Sequence, residues 1–81
     1  LLVSGPTLLR SVLYAVHLLQ ENKIKPEDVM HQVRDLVPDY FRERDRITAL
    51  ADYVSKKTAK ARPDESSNAM VLRDLVRRER V

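Results

Sequence analysis

Residues 40–60 carry side chains whose types and spacing fit contact with a phosphate backbone. Placed on a helix at about 100° per residue, this segment brings five cations and one aromatic ring into a single stripe, which consists of Arg42, Arg46, Tyr53, Lys56, Lys57 and Lys60. Asp45 and Asp52 fall to one side of it. Cations neutralise phosphates, and a tyrosine ring offers a surface on which bases stack. We call this set the basic stripe and predict that it faces solvent and contacts a nucleic acid.

A second set of cations lines one flank of the last predicted helix and consists of Arg73, Arg77 and Arg80. Both sets have an ordinary alternative interpretation, because arginine and lysine are good helix formers that occur on any solvated helical surface. Asp52 stands four residues before Lys56, and Asp74 stands four before Arg78, which is a spacing at which surface ion pairs form. The sequence therefore leaves open whether these cations bind nucleic acid or only solvate the helices.

No arrangement of residues in the sequence fits catalysis, metal binding or cofactor binding. The chain has no cysteine, and its two histidines, His17 and His31, lie outside any spacing typical of metal ligands. The serines belong to no nucleophile motif, and the single glycine, Gly5, cannot form a phosphate-binding loop. We therefore expect no catalytic residue, no cofactor and no metal, and a domain that is not an enzyme on its own.

Length and composition indicate one small helical domain. The 81 residues are 43% hydrophobic with only four aromatics, so the core must be built from Leu, Val, Ile and Met, which suits helices. Residues 1–40 carry a charge of −1 (four basic, five acidic), whereas residues 41–81 carry +4 (eleven basic, seven acidic), a bias that permits an anionic partner. Because the chain starts without a methionine, we expect it to be a piece of a longer protein. The lack of cysteine and of a long apolar run predicts a cytoplasmic domain that does not cross a membrane.

The prolines divide the chain into four predicted helices, since each falls where the apolar periodicity breaks: Pro6, Pro26, Pro38 and Pro63. The first fits the opening turn of a helix that ends near residue 20 or 21. The second fits the start of helix two, with acids in its first turn and Ile24 placed to pack near Val29. The third stops helix two, because a residue that precedes proline avoids helical geometry. The fourth separates helix three from helix four.

Helix three is the longest predicted element and runs from Tyr40 to about Lys60, with Asp39 placed to cap it. Residues 61–67 form a connector that contains three candidate caps for helix four, namely Asp64, Ser66 and Ser67. Helical spacing of apolar residues predicts that these positions are buried: Ile24, Val29, Val33, Leu36, Ile47, Leu50, Val54, Leu72, Leu75 and Val76. The expected fold over residues 1–81 is a single all-α domain of about four helices, orthogonal or bundle-like.

Several segments form a pattern when they are taken in chain order: Pro-Thr-Leu-Leu-Arg at 6–10 with Tyr14, Val-Pro-Asp-Tyr-Phe at 37–41, Ala-Asp-Tyr-Val at 51–54 and Val-Leu-Arg-Asp-Leu-Val at 71–76. Together they resemble the C-terminal helical region of large prokaryotic adenine-specific DNA methylase-like proteins of restriction and phage-defence systems. The glycine-rich cofactor loop and the Asn/Asp-Pro-Pro-aromatic motif that define methyl transfer in such enzymes are absent, so no catalytic residue carries over. The resemblance implies an accessory segment that positions DNA or packs on the catalytic domain.

The sequence thus favours a non-catalytic accessory module of a larger nucleic-acid-modifying protein. Its expected partners are DNA or another nucleic acid and the rest of the parent chain or a protein partner; the resemblance implies that the parent chain is a DNA adenine methylase-like enzyme. The alternative is a protein-interaction or oligomerisation module that does not bind nucleic acid. A methylase motif upstream of Leu1 would distinguish the two.

Overall fold

The computed structural model describes residues 3–22 and 24–79, which form four α-helices and, within these ranges, no strand. Their bounds are Gly5–Glu21 for α1, Pro26–Leu36 for α2, Tyr40–Thr58 for α3 and Pro63–Arg78 for α4. This arrangement confirms the all-α fold of four helices that the sequence predicted.

The first two helices begin and end where the local sequence indicates. At the start of α1, the Ser4 hydroxyl accepts a hydrogen bond from the Thr7 backbone N–H at 3.3 Å. Asn22 ends the helix in the left-handed conformation. Pro26 occupies the first turn of α2, and Val37 leaves helical geometry before Pro38. Short-range chemistry therefore fixes these boundaries.

Two predicted caps are wrong. Asp39 does occupy the position before α3, but its backbone adopts the left-handed conformation. Its carboxylate accepts a hydrogen bond from the Arg42 side chain at 3.4 Å and caps no backbone N–H of the helix. No side chain caps α4, which begins at Pro63 ahead of Asp64, Ser66 and Ser67. The reason is that proline has a helical φ and no N–H to satisfy, so the helix starts there without a cap. Ser66 instead donates to the Ser55 carbonyl at 2.7 Å and so ties α4 to α3.

The core lies where α1 crosses the pair formed by α3 and α4, and α2 packs mainly on α1. Every helix contributes buried apolar side chains, which are Leu8, Val12, Ala15, Val16, Val29, Met30, Val33, Val37, Tyr40, Ile47, Ala51, Val54, Ala69, Leu72 and Val76. Six of the ten positions predicted to be buried belong to this set, and Ile24, Leu50 and Leu75 pack half-buried against it. Leu36 is the exception, since it is 46% exposed. Val37, four residues after Val33, takes the buried position at the end of α2 and turns Leu36 outward.

Candidate nucleic-acid interface

The basic stripe lies along the side of α3 that faces away from the core and continues just past its end. Tyr53 is half-exposed, the side chains of Arg42 and Lys56 are mostly exposed, and Lys57 and Lys60 are exposed. Arg46 is the least accessible of the cations, with 37% of its side chain exposed. The stripe is thus a solvent-facing surface along most of its length.

Three of the five cations already have a carboxylate partner on the same helix or at its start. Arg42 pairs with Asp39 at 3.4 Å, Arg46 with Glu43 at 2.6 Å and Lys56 with Asp52 at 2.9 Å. Each pair has the three- or four-residue spacing at which helical side chains meet. The Asp52–Lys56 pair confirms the pairing considered from the sequence. These three cations therefore have less free charge for a ligand than the sequence alone indicated.

Lys57 and Lys60 differ from the other cations, because neither pairs with a carboxylate within the described residues. The Lys57 ammonium lies 5.6 Å from the centroid of the Tyr53 ring, within the range of a cation–π contact. Lys60 follows the end of α3 and is exposed. The unpaired charge of the basic stripe is therefore concentrated at its C-terminal end, beside an accessible aromatic ring.

Glu43 gives Arg46 a structural role. The Glu43 side chain is 1% exposed, and its second carboxylate oxygen accepts a hydrogen bond from the Val3 backbone N–H at 3.3 Å. A buried carboxylate needs both partners, because an unpaired buried charge is strongly destabilising. Arg46 therefore contributes to the fold at a position where the sequence predicted contact with a ligand.

The arginine flank of α4 is not one continuous surface. Arg73 is only 19% exposed and donates to Asp52 at 3.0 Å and to Asp74 at 3.2 Å, so it joins α4 to α3. Asp74 therefore pairs with Arg73 and not with Arg78 as the spacing suggested. Arg77 is exposed, and Arg80 lies outside the described residues.

Asp52 stands at the centre of this polar contact between α3 and α4. Hydrogen bonds from the Lys56 ammonium and then from the Arg73 guanidinium lower the pKa of the Asp52 carboxyl below its ordinary value, and the two positive charges act in the same direction. These interactions favour the ionised carboxylate. Lys56 is thus part of a network with Asp52, Arg73 and Asp74 that joins the last two helices.

A groove of about 300 Å³ opens beside Tyr53. Leu9 and Leu13 of α1 line it together with Val54 of α3, and Lys57 and Arg62 stand at its edge. The remaining lining residues are Thr58 and Glu65, and the Glu65 carboxylate accepts from Arg62 at 2.5 Å. The unpaired end of the basic stripe therefore adjoins an apolar depression, which no sequence pattern indicated because its walls come from three separate helices.

A second polar cluster that the sequence analysis missed surrounds the C-terminal end of α4. Arg44 donates to the Val76 carbonyl at 3.1 Å and to the Arg77 carbonyl at 3.4 Å, and Arg34 pairs with Glu79. Burial raises the pKa of the neighbouring Tyr40 hydroxyl, and the Glu79 charge adds to this effect. Arg44 satisfies carbonyls that a helix end leaves without partners, and Arg34 pairs with the carboxylate that follows this end, so the cluster has a structural explanation.

The described residues contain no group of three or more side chains suited to a metal ion. Both histidines are exposed and lie on different helices, His17 on α1 and His31 on α2. Within residues 3–22 and 24–79, no helix has the length and apolar character to cross a membrane. Comparisons of the chain with protein-family models, with curated proteins and with solved structures find no match.

Proposed function

We propose that this domain is a non-catalytic accessory module of a larger nucleic-acid-modifying protein and that the C-terminal end of α3 contacts a nucleic-acid backbone. One observation carries the proposal, namely two exposed lysines, Lys57 and Lys60, which have no carboxylate partner in residues 3–22 and 24–79 and lie beside the accessible ring of Tyr53. Such cations bind phosphates and release the counterions that are condensed on the nucleic acid, and no carboxylate of the described residues competes for these two. The domain itself supplies no catalytic residue in this proposal.

The strength of the internal ion pairs decides which cations take part. Exposed pairs such as Arg42–Asp39 contribute only about 0–1 kcal/mol, so a phosphate can replace the carboxylate. The same holds for Lys56, whose side chain is 78% exposed. Arg46 is excluded, because Glu43 would be left buried and unpaired. Between two and four cations then engage phosphates, which gives a slope of log affinity against log salt of about −1.8 to −3.6 for duplex DNA.

The resemblance to the helical region of adenine-specific DNA methylase-like proteins supports the same role, since such a region accompanies a catalytic domain that acts on DNA. In this role the module holds the substrate backbone, or packs on the catalytic domain, in a cytoplasmic enzyme. Backbone contacts set the position of the protein on the nucleic acid and carry no sequence information of their own. The module is therefore expected to add affinity and orientation, with little effect on sequence preference.

The test is fluorescence anisotropy of a short labelled DNA duplex, titrated with the protein across a salt series. The Lys57→Gln/Lys60→Gln variant is expected to flatten the salt slope by about 1.8 units, at 0.9 per phosphate contact. Lys25→Gln/Arg78→Gln is the matched control, because it removes the same charge from exposed positions away from α3, one just before α2 and one on α4. Equal slopes for the two double variants would show that the basic stripe is a solvated face, and the proposal would be withdrawn.

A second candidate function is protein interaction, which the face between α2 and α4 favours. Two adjoining cavities of about 280 and 360 Å³ lie there, and both are lined by Glu27, Leu75 and Arg78. Val71 at the edge of this face is 40% exposed. An interaction module is expected to show no DNA affinity above the non-specific level of about 10⁻⁴ M at physiological salt. In that case Val71→Glu, and not the lysine variant, would weaken its assembly in sedimentation velocity.

A further inference from the structure

The groove beside Tyr53 combines an apolar lining, an accessible aromatic ring and a cation. Its floor is apolar, with Leu9 and Leu13 half-buried and Val54 buried. One wall is the Tyr53 ring, which is 51% exposed. Its edge carries the Lys57 ammonium, which has no carboxylate partner among the described residues.

The charge of the groove favours an anionic ligand with an apolar part. The carboxylate in its lining belongs to Glu65, and Arg62 neutralises it with a hydrogen bond of 2.5 Å. Lys57 therefore leaves the rim positive, and Lys60 lies three residues further along the chain. A volume of about 300 Å³ stands at the lower end of the range for ligand sites, roughly 300–1,000 Å³, which is enough for one planar group. Bases within a duplex are stacked on one another and present no free face to a ring, so an unpaired base fits the groove better.

We infer that this groove binds one unstacked base of a single-stranded nucleic acid, whose flanking phosphates lie on Lys57 and Lys60. The inference rests on the proposed function and specifies its ligand. Bases stack on aromatic rings whatever their sequence, because every base has a π-face. In the free protein the Lys57 ammonium covers the Tyr53 ring. A base that replaces the ammonium over the ring leaves Lys57 free to reach the adjacent phosphate.

The experiment compares two labelled single-stranded probes of equal length, an oligothymidylate and an abasic oligonucleotide with the same phosphates. The wild-type protein is expected to bind the oligothymidylate more tightly, because only that probe can place a base on Tyr53. Tyr53→Ala is expected to weaken oligothymidylate binding by about 5- to 150-fold, the range of stacking on one aromatic ring, and to leave abasic binding unchanged. Tyr53→Phe keeps the ring and is expected to bind as the wild type does.

Tyr14→Ala is the matched control, since Tyr14 is 48% exposed on α1 and does not line the groove. Both tyrosines are surface residues in helices, so both alanine variants are expected to melt with the wild type in circular dichroism. Equal affinity of the wild type for the two probes would overturn the inference. So would an equal loss from Tyr14→Ala. A poly-glutamate peptide of equal charge that binds more tightly than the oligothymidylate would also overturn it, since the favoured ligand would then be an acidic protein segment.

The lysine variant separates failure of this inference from failure of the proposed function. If Lys57→Gln/Lys60→Gln weakens both probes while Tyr53→Ala weakens neither, the backbone contact stands and the base site does not. If the lysine variant leaves both probes unaffected, the proposed function fails and the base site fails with it. Weakening of both probes by the lysine variant, together with weakening of the oligothymidylate alone by Tyr53→Ala, supports both.

Discussion

Removing the guanidinium of Arg46 is expected to destabilise the domain, although this residue belongs to an outward-facing stripe. The change is Arg46→Met, which keeps much of the apolar stem and removes the charge. Its partner Glu43 is 1% exposed, with one oxygen 2.6 Å from Arg46 and the other accepting from the Val3 backbone N–H at 3.3 Å. After the change, the buried carboxylate keeps only the backbone donor, and water reaches it poorly.

The magnitude follows from the exposure of the two partners. Breaking a fully buried ion pair costs about 3–5 kcal/mol, whereas an exposed pair contributes about 0–1 kcal/mol. Arg46 is 37% exposed and Glu43 is not, so we place the loss between these limits, at roughly 1–3 kcal/mol. In a domain of this size each kcal/mol lowers Tm by about 4–8 °C. The expected decrease in Tm is therefore about 4–24 °C.

Circular dichroism melts and urea titrations at neutral pH measure this loss, and Arg42→Met on the same stripe is the control. Arg42 and Asp39 are both more than 60% exposed, so their separation is expected to change stability by no more than about 0.5 kcal/mol. A Glu43→Met/Arg46→Met double variant is expected to recover most of the loss, since apolar residues can replace a buried pair. Coincident melts of Arg46→Met and Arg42→Met would refute the structural role of Arg46.

Two further predictions concern the core and the polar network. Leu72→Ala is expected to lower the free energy of unfolding by about 2–5 kcal/mol, because Leu72 is fully buried. Val71→Ala, at the exposed neighbouring position, is expected to change it by less than about 0.5 kcal/mol in urea titrations. Equal losses for the two variants would contradict the assigned faces of α4. Asp52→Asn is expected to be less stable than the wild type at neutral pH. Hydrogen bonds from Lys56 and Arg73 lower the pKa of Asp52 in the folded state, so the ionised carboxylate stabilises the folded protein at any pH above the unfolded-state pKa. Urea titrations of both proteins should converge as pH falls through the lowered pKa of Asp52, and a difference that is constant with pH would show that the carboxylate charge is not responsible.

Element boundaries could be predicted from the sequence because they depend on neighbouring residues. Pro26 and Pro38 bracket α2, and Pro63 lies outside α3, for reasons that hold in any chain. The cap of α4 was predicted wrongly because proline and serine both occur at helix starts. Local sequence does not decide whether the helix begins at Pro63 or after one of the serines. Packing resolves the choice, since Ser66 is engaged with Ser55 across the helix pair.

Contacts between helices could not be predicted, because they join residues far apart in the chain. The hydrogen bond from Arg73 to Asp52 runs from α4 to α3. The hydrogen bond from Arg44 to the Val76 carbonyl runs from α3 to α4 near the C-terminal end of α4. Helical spacing relates only residues that lie close together in the chain, so it indicated Arg78, four residues further on, as the partner of Asp74. The groove beside Tyr53 has the same origin, as its walls meet only after α1 packs across α3.

The position of each cation along α3 relates the fold to the proposed function. Lysines in the last turn of a helix also interact favourably with its dipole, by about 0.3–1 kcal/mol, and this effect favours a cation at Lys56 and at Lys57. It does not account for Lys60, which lies beyond the end of the helix, or for a half-exposed ring under the Lys57 ammonium. The two roles predict different effects of Lys57→Gln. If Lys57 acts on the helix dipole, the variant is less stable and its affinity for nucleic acid is unchanged. If Lys57 binds phosphate, the variant changes the slope of log affinity against log salt and its stability is unchanged. Arg46 pairs with a buried carboxylate near the start of the stripe, whereas Lys57 near its end pairs with no carboxylate of the described residues. Substitutions at these two positions therefore separate the part of α3 that stabilises the fold from the part that remains free to bind.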